Sequence, residues 1–160
     1  MALGSGGSID TVGAQATGER ATALGSVSLA SGLRATAVGS RSTAGNELAT
    51  ALGAFSSASG KSSVALGDSA KSSAQSAVAI GAVAVADTWD SIAIGSSATT
   101  SGSTAKGVAI GYKANSVEGA IAIGESAYAE STLVSGVAQI SVAVGMESIA
   151  KGQDAAAFGT

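Results

Sequence analysis

The chain has 160 residues, a length that fits one domain, and alanine, serine and glycine supply more than half of them. It has no His, Cys or Pro, 3% aromatics and a net charge of −3, which excludes a zinc site of the usual kind, a thiol nucleophile and a Ser-His-Asp triad and argues against a nucleic-acid partner, which needs a basic surface. Mean hydropathy of +0.40 argues against disorder, so a chain this poor in bulky residues is expected to have a thin core that relies on close backbone approach and on other chains.

In chain order, residues 1–10 fit no repeat and read as an N-terminal tail, and residues 11–160 read as one repeat domain. From Ala21 onward a short string recurs, small–β-branched–Ala–aliphatic–Gly, as in Ala21-Thr22-Ala23-Leu24-Gly25 and Ala35-Thr36-Ala37-Val38-Gly39. Six glycines, Gly25, Gly39, Gly53, Gly67, Gly81 and Gly95, recur at one constant step, i to i+14. Gly111, Gly124, Gly145 and Gly159 follow at steps of 16, 13, 21 and 14. Alternation with period two inside each string predicts a strand, and Thr, Val and Ile favour it. The closing Gly suits a turn, and helix is disfavoured where Gly and β-branched residues recur this often. The period therefore predicts an all-β solenoid.

Counting from each Gly sorts the side chains into columns. At −1 the residues are Leu24, Val38, Leu52, Leu66, Ile80, Ile94, Ile110, Ile123, Val144 and Phe158. At −2 every residue is alanine: Ala23, Ala37, Ala51, Ala65, Ala79, Ala93, Ala109, Ala122, Ala143 and Ala157. After the Gly, +3 and +5 carry only Ala, Ser or Thr, as Ser28 and Ala30 do, whereas +2 and +4 vary freely. This predicts a second strand with one face in water. The large −1 and −3 side chains are expected to fill the coil against the small +3 and +5 residues. The alanine face is left over, so Ala23, Ala37, Ala51, Ala65, Ala79, Ala93, Ala109, Ala122 and Ala143 are the expected contact between chains of a homo-oligomer. Stacked at about 4.8 Å, the nine steps from Gly25 to Gly159 make a rod of roughly 43 Å.

The spacing departs from 14 in three places. Residues 96–111 carry two extra, 112–124 are one short, and 125–145 carry seven extra, centred on an apolar insertion at 131–140. Such an insertion fits a binding loop or a cap packed on a neighbouring subunit.

The strings Ser63-Val64-Ala65-Leu66-Gly67 and Ser91-Ile92-Ala93-Ile94-Gly95, in their shared register, resemble the head repeats of trimeric autotransporter adhesins, with Yersinia adhesin A as the type case. The resemblance covers about residues 11–160. It implies a left-handed parallel β-roll assembled as a homotrimer, in a bacterial outer-membrane protein that displays its head on a stalk. Stalk heptads and anchor strands are absent from these residues, so the resemblance is to a head alone. It implies a cell-surface adhesin head that attaches to host extracellular matrix or host cells, with multivalent contacts adding through effective concentration. The other reading of the same repeats is a structural spacer with no ligand of its own.

For ligand contact the candidates are Trp89 with its flanking carboxylates Asp87 and Asp90, and Tyr112 and Tyr128. A Trp between carboxylates fits a ligand platform; it fits equally an aromatic lid over a coil edge or subunit boundary. The two tyrosines fit either ligand contact or cover over exposed backbone. No catalytic residue, metal site or cofactor is expected: the carboxylates do not pair as general acid–base chemistry needs. The Gly-Gly-x-Gly-x-Asp repeat of calcium-binding rolls does not occur, nor does the Gly-Lys-Ser/Thr ending of a phosphate loop. A hexapeptide-repeat acyltransferase would need a six-residue period and a His. An ice-binding surface would need a long Thr ladder, but Thr22, Thr36 and Thr50 give way to Val64, Val78 and Ile92. No run of about 18 apolar residues offers a membrane span, and Met1 is not followed by the basic and apolar regions of a signal peptide.

Overall fold

A computed structural model describes residues 2–3, 13–103, 106–134 and 137–159. Among these residues there is no helix; the chain winds as an all-β parallel solenoid whose coils follow the sequence period. Each coil contributes one strand to each of two parallel sheets. The first sheet holds the strings, from Thr22–Leu24 through Val78–Ile80 to Ala156–Phe158. The second holds the +4 and +5 residues, from Gln15–Ala16 through Val85–Ala86 to Ile149–Lys151. Register follows the period: Ala37 pairs with Ala51, and Ala79 with Ala93.

Ala2–Leu3 adds a strand to the first sheet, pairing with Ala23 and Leu24, where the sequence reading expects only a tail. Its signal is the string Ala2-Leu3-Gly4, set one long step ahead of Gly25. The step from Gly4 to Gly25 equals the one from Gly124 to Gly145. The surplus of that second long step leaves the roll as an antiparallel hairpin, Thr132–Val134 with Val137–Gln139, separate from both sheets. Its base is tied by Ser141, whose N–H donates to Ser131 Oγ at 3.0 Å and whose hydroxyl lies 2.7 Å from the Gly152 carbonyl.

The turns explain how so short a repeat closes a coil. At +2 and +9 the backbone is left-handed, and the residues there are seldom glycine: Arg34, Arg41, Leu48, Phe55 and Val83 have φ between 56° and 58°. An L-residue pays roughly 1–2 kcal/mol for this conformation. It is held because the amide of each such residue donates to a carbonyl one coil back, as Phe55 does to Ser40 (2.9 Å) and Leu48 does to Leu33 (2.9 Å). The glycines at the string ends are different. Gly25, Gly39, Gly53 and Gly67 have φ of 129–136°, and each is stacked directly on the next glycine's carbonyl.

The core is made of alanine and serine. The −4 and −2 residues of the first sheet and the +3 and +5 residues of the second are buried, as in Ala77, Ala79, Ala84 and Ala86 of one coil. The largest fully buried side chain is Thr100. The buried serine hydroxyls bond to the backbone. Ser28, Ser42 and Ser56 donate to the carbonyls of Gly25, Gly39 and Gly53 at 2.8–2.9 Å. Ser63 and Ser72 donate to the carbonyls of Gly60 and Ala77 at 2.7 and 2.8 Å. Unpaired, each such group would cost about 1–3 kcal/mol.

Gly107 is the one glycine in the −4 column, and it makes room. A Cβ there would lie 2.8 Å from Ser116 Oγ and 3.5 Å from Thr100 Cβ. Gly107→Ala is therefore expected to cost about 1–3 kcal/mol as overpacking. In a Ser116→Ala background the penalty should fall by about 1 kcal/mol or more. Ser116→Ala leaves the Ala120 carbonyl satisfied by the Val108 amide at 3.0 Å. Four melting curves, for the wild type, both single variants and the double, check the coupling; additive losses would refute the packing account.

Candidate functional site

The fold reverses the faces of the first strand. The alanines expected between chains, Ala23, Ala37, Ala51, Ala65, Ala79, Ala93, Ala109, Ala122 and Ala143, all lie inside the coil of a single chain. They face the +3 and +5 residues of the second sheet and are not available to another subunit. The physical reason is thickness: two strands joined by tight turns stand too close for Leu or Ile between them. Four small columns fill the gap together.

The aliphatic residues consequently point out. The −1 and −3 columns form a ladder across the first sheet, including Val64, Leu66, Val78, Ile80, Ile92 and Ile94, all half-buried or exposed. Leu24 keeps 45% of its surface in contact with solvent and Ile92 keeps 37%. Phe55, Val83, Tyr112 and Met146 extend this apolar surface around the +1 and +2 corner, where each is exposed. A row of Leu, Val and Ile on successive rungs of a flat sheet is the kind of contiguous apolar patch that marks an interaction surface. The second sheet's outer face is polar and small over much of its length, with Ser31, Thr43, Ser57, Ser59 and Ser73 at +4 and +6.

The ligand candidates lie at three separate places on the roll. Trp89, at +8 in the turn that leads back to the first sheet, is 68% exposed. Asp87 is engaged by Lys71, whose Nζ lies 3.2 Å from Oδ1, and by the Ser73 hydroxyl. Asp90, left-handed at φ 53°, makes no side-chain hydrogen bond or ion pair to the described residues. Tyr112 lies at the opposite corner, exposed, with Lys113 Nζ 5.0 Å from its ring centre. Tyr128 is half-buried on the second sheet; its hydroxyl donates to Glu130 at 2.8 Å and Lys151 Nζ sits 4.7 Å over its ring. The hydrogen bond to the Glu130 carboxylate, then burial and that carboxylate's charge, hold its pKa above the usual tyrosine value. The fold therefore groups Trp89 with Asp87 and Asp90 and leaves both tyrosines apart. Among the described residues no group of three or more acidic side chains is placed to hold a metal ion.

Comparison with known proteins agrees with this architecture. The family model of the YadA head domain repeat (2 copies) matches residues 12–28, 30–56, 44–70 and 58–84. Among solved structures, the collagen-binding domain of the Yersinia adhesin YadA is 31% identical, with a TM-score of 0.71 over 83% of this chain and 70% of that one. No curated protein sequence matches the chain.

Proposed function

The chain belongs to the YadA head-domain family, and from that premise we propose that it is the head of a bacterial surface adhesin, displayed outside the outer membrane, that binds a host matrix protein as a homotrimer. The observation that carries this reading is the outward aliphatic ladder of the first sheet. Single chains in water would expose the −1 and −3 side chains along the whole rod, and burying a Leu, Val or Ile fully contributes about 1.5–3 kcal/mol. Three copies with these faces turned to a common axis hide them and leave the three polar second sheets outward. Binding then occurs on surfaces repeated around the axis, and weak contacts add by effective concentration. The rod is a scaffold for contact and holds its shape through backbone ladders.

Light scattering on the purified chain, with solid-phase binding to immobilised collagen and other matrix proteins, tests both parts. Three chains per particle with saturable binding to one of these proteins is the expected result. A monomer would overturn the assembly. A trimer that binds no matrix protein and no host cell would be a spacer.

A further inference from the structure

Several departures from the repeat converge at one corner of the roll. Trp89 is the only tryptophan. The residue before it, Thr88, occupies the +7 column, where other coils have Gly32, Asn46, Gly60, Ala74 or Gly102. Thr88 is 4% exposed, and its hydroxyl has no hydrogen-bond partner among the described residues. The next coil is the one with two extra residues. In that coil the Ser103 amide donates to the Glu118 carboxylate at 3.0 Å. The Lys106 amide donates to the Trp89 carbonyl at 2.7 Å. On the other side the Asp90 amide donates to the Gln75 carbonyl at 3.0 Å. Trp89 thus stands on a main chain bonded to the rungs on both sides, with Gln75 one rung back in its own column and Lys106 one rung on in the column of Asp90; all four residues are exposed.

From this arrangement we infer that the Trp89 corner binds an uncharged pyranose of a host glycan. A pyranose has one face of C–H groups, which stacks on an exposed indole, and a rim of hydroxyls, which needs donors and acceptors. Gln75 supplies both, the Asp90 carboxylate accepts and the Lys106 ammonium donates. A few polar groups around an apolar platform is the usual composition of a small-ligand site. The charge balance selects a neutral sugar. Asp87 is compensated by Lys71 at 3.2 Å, and the remaining pair, Asp90 and Lys106, sums to zero. A sulfated or sialylated residue would meet as much repulsion as attraction. This ligand class rests on the adhesin reading and deepens it.

Since Trp89 is the only tryptophan, its emission reports this corner alone. Lactose or maltose, titrated into the assembled head to tens of millimolar, is expected to shift the emission to shorter wavelength and to saturate. Asp90→Asn and Lys106→Gln should each weaken the effect at least about fivefold with unchanged circular dichroism. Trp89→Ala should abolish sugar binding by calorimetry while the particle mass and melting temperature stay the same. Absence of a saturable change with both sugars would overturn the inference. So would a fall in particle mass or melting temperature for Trp89→Ala, because Trp89 would then be a subunit contact. Matrix-protein binding measured on the same preparation separates the two claims: if it persists without sugar binding, only this inference fails.

Discussion

Gly67→Ala is expected to lower the melting temperature of the head by roughly 10 °C. At φ 135°, Gly67 has a backbone conformation that L-residues rarely adopt, at a cost of about 1–3 kcal/mol. An added Cβ would also lie 2.5 Å from the Gly81 carbonyl oxygen and 2.7 Å from its carbon. That neighbour is backbone, and it cannot give way: the Gly81 amide is bonded to the Leu66 carbonyl at 2.8 Å and Gly81 is itself stacked on Gly95. Overpacking adds about 1–3 kcal/mol. The two terms together reach about 2–6 kcal/mol, and about 2–4 °C follows from each kcal/mol in a domain of this size. Gly45→Ala is the control. Nothing lies within 4 Å of its added Cβ, and its column already carries Ser31, Ser59 and Ser73. It should hold or raise stability by about 0.4–1 kcal/mol through the unfolded chain. Thermal melts by circular dichroism decide; a Gly67→Ala melt within about 2 °C of the wild type would contradict the stacked-glycine account.

These glycines mark what the sequence makes legible. A Gly returning at a fixed step, closing strings with period two, specifies coil length, strand position and register without any structure. Which face turns inward is not specified by alternation, because period two assigns residues to two sides and does not say which side is the core. The usual rule, large side chains inside, points the wrong way for Ile80 and Ala79. A signal was nonetheless present. The −2, −4, +3 and +5 columns are all small, and four small columns from two strands are what a gap too thin for Leu requires. The left-handed turns were not legible, because Arg34, Leu48, Phe55 and Val83 share no residue type that announces positive φ; backbone bonds between coils hold them there. The corner at Trp89 was legible as an exception to its column, and its surroundings were not. The neighbours of Trp89, with Gln75 one rung back in its column and Lys106 one rung on in the column of Asp90, are set by the register between coils and not by spacing along the chain.

The inverted face makes a second prediction with a large effect, in which adjacent residues fail in different ways. Ile80→Arg places a guanidinium in the middle of the aliphatic ladder, between Leu66 and Ile94 on the neighbouring rungs. In an assembled trimer three such charges would converge on the axis, each losing hydration at a cost of several kcal/mol. The chain is expected to elute as a monomer, and to melt at a lower temperature that no longer rises with protein concentration. Ala79→Arg acts elsewhere. Ala79 is fully buried against the wall that carries Ala84 and Ala86, and a coil interior lined by methyl groups has no room for an arginine and no partner for its charge. That variant should lose strand signal across several coils, because each coil is held by its neighbours. Hydrogen exchange followed by mass spectrometry distinguishes the two outcomes. In Ile80→Arg the ladder amides Val78 to Ser91 and Gly81 to Leu66 should remain protected at millimolar chain concentration. In Ala79→Arg they should exchange freely at any concentration. Trimeric mass and native melting for Ile80→Arg would show that the aliphatic ladder is not the contact, and a folded, dissociated Ala79→Arg chain would return the interface to the alanine column.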